Sequence, residues 1–336
     1  MRPNLAVVPL LALGLIGASC SSSGSGGAVA PSRSAAASAD RNADSAGPGG
    51  SLWDRLDAAR AARTSGGGAA EVVDAGAGAA EIPAAERGRY ESWWKLYLTE
   101  DQSWPAAKAD WRRSPPPGPQ LLAENLLRRH VLSYDAGVRY EFERSRRELV
   151  GISDVAAPII VVGLQRSAGD SLVRRHAIEL LGAMGPSVLG DVEKATAEAS
   201  PGGRVDLVRA MGRMKSPATT RALASIATGG GAFEARIEAV KGLSENGDTA
   251  GYPAVVSCLA DSDPSVRKFA ARYIPSYANP ESAKALVGCM ERCERERDRE
   301  GVAEAHAALK KLTGLEAPPE SGAWRATLGR VGATGR

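Results

Sequence analysis

The residues able to support acid–base, nucleophilic or metal chemistry are few and widely spaced. The three histidines, His130, His176 and His306, are far apart in the chain, and none lies in a zinc-binding spacing such as His-Glu-x-x-His. No nucleophile elbow or pair of catalytic carboxylates is evident. Gly229-Gly230-Gly231 lacks the Lys-Ser/Thr that follows a phosphate-binding loop, so it predicts a flexible turn. We therefore expect no catalytic site, no metal site and no cofactor.

Three cysteines in the C-terminal half have a regular spacing. Cys258 and Cys289 are 31 residues apart, and Cys289 and Cys293 share one helical face at i and i+4. No fourth ligand accompanies them and the spacing matches no zinc pattern. Buried apolar packing is the first interpretation, and a disulfide is the alternative. Cys258 and Cys289 are expected to face each other across neighbouring helices.

A repeated arginine shows which elements organise the chain. Arg174, Arg204, Arg236 and Arg267 follow one another at steps of 30, 32 and 31 residues. A period near 31 predicts a solenoid of stacked helix pairs. One helix of each pair contains the arginine beside an apolar stripe, and a proline marks the start of several second helices. The predicted fold is an all-α solenoid of about five helix pairs.

The repeat resembles HEAT repeats and their bacterial HEAT-like relatives over roughly residues 150 to 315. The resemblance rests on Asp170-x-x-Val173-Arg174 and Asp263-x-x-Val266-Arg267, each with an alanine four residues after the valine. It implies a ladder of Asp and Arg side chains between neighbouring repeats. The second and third copies depart from the pattern, because they lack the aspartate. The implied ladder residues are Asp170, Arg174, Arg204, Arg236, Asp263 and Arg267.

The helix face opposite the apolar stripe is rich in basic residues. At 100° per residue, positions two and six after Val173 and its equivalents point away from the core. Five of these eight positions are basic, although the whole chain has 42 basic and 39 acidic residues. We predict a groove that binds an acidic peptide or another polyanion, with an ordinary solvated face as the alternative. The predicted groove residues are Arg175, Arg209, Lys241, Lys268 and Arg272.

The N-terminus is typical of a bacterial lipoprotein. A basic start and an apolar run, Leu5 to Gly17, precede Ala18-Ser19-Cys20, which resembles a lipobox. We predict that residues 1–19 are a signal peptide and that Cys20 carries the lipid. Plain signal cleavage, with an incidental Cys20, is the alternative. Residues 20–86 are rich in Gly, Ala and Ser and are predicted to form a mostly disordered tether.

Residues 87–150 precede the repeats and contain most of the tryptophans that follow the tether. We predict a helical cap for the first repeat, with an aromatic platform for glycans as the alternative. Pro115 to Pro119 is predicted to be a rigid extended connector. The HEAT-like repeats occupy 151–314, and 315–336 form a C-terminal plug around Trp324.

The near balance of charge, a net +3, argues against a protein built to bind nucleic acid. The predicted function is a non-catalytic scaffold, anchored by its lipid in the bacterial cell envelope, that binds a protein or polyanionic partner. A glycan or peptidoglycan binder that uses the tryptophans is the alternative. A less favoured alternative, suggested by resemblance in fold alone, is an enzyme similar to the HEAT-like lyases that act on tetrapyrroles. The oligomeric state is not predicted.

Overall fold

The computed structural model describes residues 84–166 and 172–334, and over these ranges it contains helices and no β-strand. The expectations for the signal peptide, Cys20, most of the tether and Asp170 lie outside the described residues. The α-helices are α1 (Ala84–Leu98), α2 (Trp104–Arg112), α3 (Gly118–Asp135), α4 (Arg139–Gly151), α5 (Ser153–Arg166), α6 (Leu172–Met184), α7 (Leu189–Glu198), α8 (Pro201–Arg213), α9 (Pro217–Thr228), α10 (Phe233–Asn246), α11 (Tyr252–Cys258), α12 (Pro264–Tyr273), α13 (Ser282–Glu296), α14 (Arg299–Thr313) and α15 (Ser321–Thr334).

The helices form two layers. In layer A, α4, α6, α8, α10, α12 and α14 each pack against the next member. Layer B contains α3, α5, α7, α9, α11, α13 and α15. Most neighbours in layer B also pack together, but α7 and α9, like α11 and α13, make little contact. Five successive A–B pairs run from α6–α7 to α14–α15, so the predicted all-α solenoid is confirmed.

Short polar residues followed by proline set where several repeat helices begin. The hydroxyl of Ser200 accepts the N–H of Gly203 ahead of α8, and the hydroxyl of Ser216 accepts the N–H of Thr219 ahead of α9. The carboxylate of Asp263 accepts the N–H groups of two residues at the start of α12. A proline occupies the first position of each of these three helices, where its missing N–H costs nothing. The sequence therefore fixes these boundaries locally.

The core lies between the layers and is built from the apolar stripe of each layer-A helix. The residues three positions after the four repeated arginines are fully buried: Ala177, Leu207, Ala239 and Ala270. Alanine dominates this position, so the layer-A helices can approach the helices behind them closely. The core continues without a break from α1 to α15.

An aromatic cluster covers the N-terminal end of the repeats. Tyr90, Tyr97, Trp104 and Trp111 on α1 and α2 are all buried. The prediction of an extended connector at Pro115 to Pro119 is wrong, because these residues form a tight turn and the start of α3. The indole N–H of Trp111 donates to the carbonyl of Gly118 at 2.8 Å and ties the turn back onto α2.

The C-terminal helix α15 packs against α13 at the other end of the repeats. Its Trp324 is fully buried, with its ring centroid 5.8 Å from that of His306 on α14. Among the described residues, no single helix is long and apolar enough to cross a membrane. Only α4 and α5, taken together across a 104° bend, satisfy length and composition.

Candidate partner-binding face

Ion pairs link consecutive helices of layer A. At the N-terminal end, Arg174 on α6 pairs with Asp206 on α8, and both side chains are buried. Asp206 also accepts a hydrogen bond at 3.3 Å from Arg209, one turn further along α8. One carboxylate therefore holds two guanidinium groups and joins two repeats.

The other arginines of the repeated series bind their neighbours in different ways. Arg236 pairs with Asp261, in the turn before α12, through hydrogen bonds of 2.9 and 3.1 Å. Arg267 donates to two backbone carbonyls of the same turn and pairs with Glu296 at the end of α13. Arg204 donates to the carbonyls of Thr196 and Ala197 and so caps the end of α7. None of these arginines takes its partner from Asp263, whose carboxylate caps α12 instead.

Three residues of the predicted basic groove reach carboxylates on the next layer-A helix. Arg209 on α8 binds Glu238 on α10 at 2.8 Å. On α12, Lys268 binds Glu300 at 2.7 Å and Arg272 binds Glu304, both on α14. The hydrogen bond with Glu304 raises the pKa of Arg272 above its ordinary value. The face therefore presents alternating charges, and much of its positive charge is compensated within the protein.

The two remaining groove residues are less engaged. Lys241 on α10 lies 4.0 Å from Glu245 of its own helix, at the limit of an ion pair. Arg175 on α6 is exposed, and it has no ion pair among the residues that the structure describes. These two cations, at the outer surface of layer A, keep most of their hydrogen-bonding capacity for solvent or a partner.

The tryptophans of the cap pack mainly on other aromatic rings. Tyr90 stacks on Trp111 with centroids 5.4 Å apart, and Trp94 stacks on Tyr97 at 4.7 Å. Trp93 and Trp94 are half-buried in the same cluster. A glycan platform needs an open ring face. In this cluster the stacked faces are occupied by neighbouring residues.

The three cysteines of the repeats are free and buried. The thiol of Cys258 donates to the carbonyl of Ala227 at 3.4 Å, and burial raises its pKa to about 12. The hydrogen bond with Cys289 and the nearby Arg267 lower the pKa of Cys293. Within residues 84–166 and 172–334, no group of three or more His, Cys, Asp or Glu side chains is arranged to hold a metal ion.

A cleft in layer B was not predicted from the sequence. It has a volume of about 390 Å³ and lies where α7 and α9 fail to pack. Its signal in the sequence is weak: small residues on both helices and a run of glycines after α9. No periodic motif marks a space that arises from the absence of side-chain volume.

Comparison with known families agrees with this architecture. Residues 222–307 match the family described as HEAT repeats, from within α9 to within α14. Comparison with curated proteins gives no match. HEAT arrays use the surfaces of stacked helix pairs as extended binding surfaces. Residues 222–307 are therefore similar to HEAT repeats, and the two helical layers place them within an α-solenoid.

Proposed function

We propose that this protein is a non-catalytic scaffold, held in the bacterial cell envelope by a lipid on Cys20, that binds a protein partner along layer A. The observation that carries the proposal is the row of charged side chains at equivalent positions of α8, α10 and α12. A solenoid repeats its geometry, so such a row matches a partner with a repeating or extended shape.

The alternating charge of the row favours a protein over a simple polyanion. Arg209, Lys268 and Arg272 are already bound to carboxylates of the next helix. A polyanion would have to displace or repel those carboxylates. A protein segment with charges of both signs can instead add hydrogen bonds to the existing pairs. Arg175 and Lys241 then supply the cations that bind acidic side chains of the partner.

Capture from detergent-solubilised envelopes tests the partner-binding face. We compare the wild-type chain with the double variant Arg175→Glu/Lys241→Glu, which leaves the ion pairs of Arg209 and Arg272 in place. The double variant is expected to lose the captured protein, and wild-type capture is expected to weaken as salt is raised. The matched control is Arg325→Glu, an exposed residue of layer B paired with Glu291. Equal capture by the double variant and the control would reject layer A as the binding face.

Thiol counting and fractionation test the anchor. The chain has four cysteines, and a thioether at Cys20 would leave three that titrate after denaturation under non-reducing conditions. Cys20→Ser is expected to move the protein from the membrane fraction to the soluble fraction, because the lipid supplies the membrane affinity. Four reactive thiols in the purified envelope protein, or a Ser variant that stays with the membrane, would contradict the lipid anchor.

A further inference from the structure

The gap between α7 and α9 is lined largely by small residues. These helices are neighbours in layer B, yet they face each other with small side chains such as Ala197, Ala222 and Ser225. The result is the cleft of about 390 Å³, which lies within the range typical of ligand pockets, roughly 300–1,000 Å³. Buried Met211 on α8 forms part of its floor, and half-buried Ile226 forms part of one wall. An aliphatic side chain would be desolvated there.

The positive charge available at the cleft comes from one arginine whose guanidinium group is only partly hydrogen-bonded. Arg204 lines the cleft, and its Nε and Nη2 donate hydrogen bonds to the carbonyls that end α7. Among the described residues it has no carboxylate partner, and its Nη1 makes no hydrogen bond. Arg236 also lines the cleft, but its charge is compensated by Asp261. Glu193 on α7 carries the opposite charge, but it is exposed and therefore screened by water.

We propose that this cleft is a second recognition site, which binds a protein segment with an aliphatic side chain next to a carboxylate. The aliphatic group fills the space over Met211 and Ile226, and the carboxylate receives a charge-assisted hydrogen bond from Arg204. The site lies in layer B and stands independently of the proposed binding face on layer A. A partner engaged at both sites would gain from the linkage between them.

Short peptides titrated into the full-length chain provide the test, with binding followed by calorimetry. The probes are acetyl-Gly-Leu-Asp-Gly-amide, the same peptide with Asn in place of Asp, and the same peptide with Ala in place of Leu. The Leu-Asp peptide is expected to bind about tenfold more tightly than either relative, because each loses one of the two interactions. Equal binding of the three peptides, or binding of none, would overturn the proposal.

Variants on both sides of the cleft locate the site. Ala222→Phe and Ser225→Leu each fill the space and are expected to abolish binding of the Leu-Asp peptide. Arg204→Gln keeps a donor for the end of α7 but removes the charge, so it is expected to erase the preference for Asp over Asn. The control is Arg221→Gln, an exposed residue of α9 outside the cleft. Thermal melts identify variants that fold, and unchanged binding by either folded filling variant would overturn the proposal.

Two other occupants are distinguished by the same assay. Octanoate has the same combination of an aliphatic body and a carboxylate, and tight octanoate binding without peptide binding would replace the protein segment by a fatty acid. Leu56-Asp57 of this chain also places an aliphatic side chain next to a carboxylate. If the peptide binds only after residues 51–63 are deleted, this segment of the chain itself occupies the cleft. That result would reject a partner protein as the occupant. These outcomes do not depend on the capture experiment that tests layer A. If that experiment rejected layer A as the binding face, the results expected for the cleft would be the same.

Discussion

Gly212 on α8 and Gly242 on α10 lie against each other where two layer-A helices cross. A Cβ atom built on Gly242 would lie 2.8 Å from the Cα of Gly212, and one built on Gly212 would lie 3.0 Å from the Cα of Gly242. The obstruction is backbone, so it cannot rotate away as a flexible side chain can. The absence of both side chains is what allows α8 and α10 to pack this closely.

Gly242→Ala is therefore expected to destabilise the fold by about 1–3 kcal/mol, because a helix must shift to admit the methyl group. Urea unfolding followed by circular dichroism measures the change. The matched control is Gly288→Ala on α13, where nothing lies within 4 Å of the new Cβ. That variant should gain about 0.5–1 kcal/mol from helix propensity. Equal stability of the two variants would contradict the close crossing.

The buried pair of Arg174 and Asp206 gives a second prediction. Asp206→Asn removes the carboxylate charge that Arg174 and Arg209 share and is expected to cost about 3–5 kcal/mol, because the Arg174 side chain is buried. The double variant Arg174→Met/Asp206→Leu should cost less, because both charges of the buried pair are removed together. As a control, Arg325→Met breaks an exposed pair with Glu291 and should cost no more than about 1 kcal/mol. A cost for Asp206→Asn no larger than that of the control would show that the pair contributes little.

His130 makes the stability of the N-terminal half dependent on pH. Burial, reinforced by the neighbouring His176, lowers its pKa from 6.5 to about 4, while the carbonyl of Phe142 acts in the opposite sense. In the unfolded chain the imidazole binds a proton at a higher pH than in the folded chain. The neutral form therefore stabilises the fold above pH 6.5, and that stabilisation is lost as pH falls towards 4.

The loss is expected to reach about 3 kcal/mol at most, measured as urea stability between pH 7 and pH 4. His130→Gln keeps a polar group that can bond to the carbonyl of Phe142 but does not titrate in this range. Its stability should fall less steeply with acid than that of the wild type. Parallel pH profiles for the two proteins would exclude His130 as the titrating group.

Trp111 tests whether the aromatic cluster is a structural cap. Its ring is fully buried and its indole N–H holds the turn before α3. Trp111→Ala is expected to cost about 3–5 kcal/mol and to make α1 and α2 sensitive to protease. Trp93→Ala, which removes a half-buried ring of the same cluster, should cost less. Glycan addition should leave the tryptophan fluorescence of the wild type unchanged, and a saturable quench would favour the platform instead.

The sequence alone determined the repeat and the boundaries of many helices. The 31-residue period forces stacked helix pairs, because one amphipathic pair cannot bury its apolar stripe without neighbours. Asp263 with Pro264, and Ser216 with Pro217, fix helix starts through contacts within a few residues. Such local signals need no knowledge of the rest of the fold. The prediction for the turn after Trp111 was wrong, because the indole that donates to Gly118 is held by stacking on Tyr90, a tertiary contact that the local sequence does not show.

Tertiary structure decided which charges meet and where space remains. Arg209 looks like a free basic groove residue in the sequence, but Glu238, 29 residues later, lies opposite it on the next helix. That pairing depends on the register and spacing of two packed helices, which the period constrains only coarsely. The approach of Gly212 to Gly242 and the gap between α7 and α9 have the same origin. Both depend on how closely neighbouring helices pack, and that distance is set by all the side chains between them.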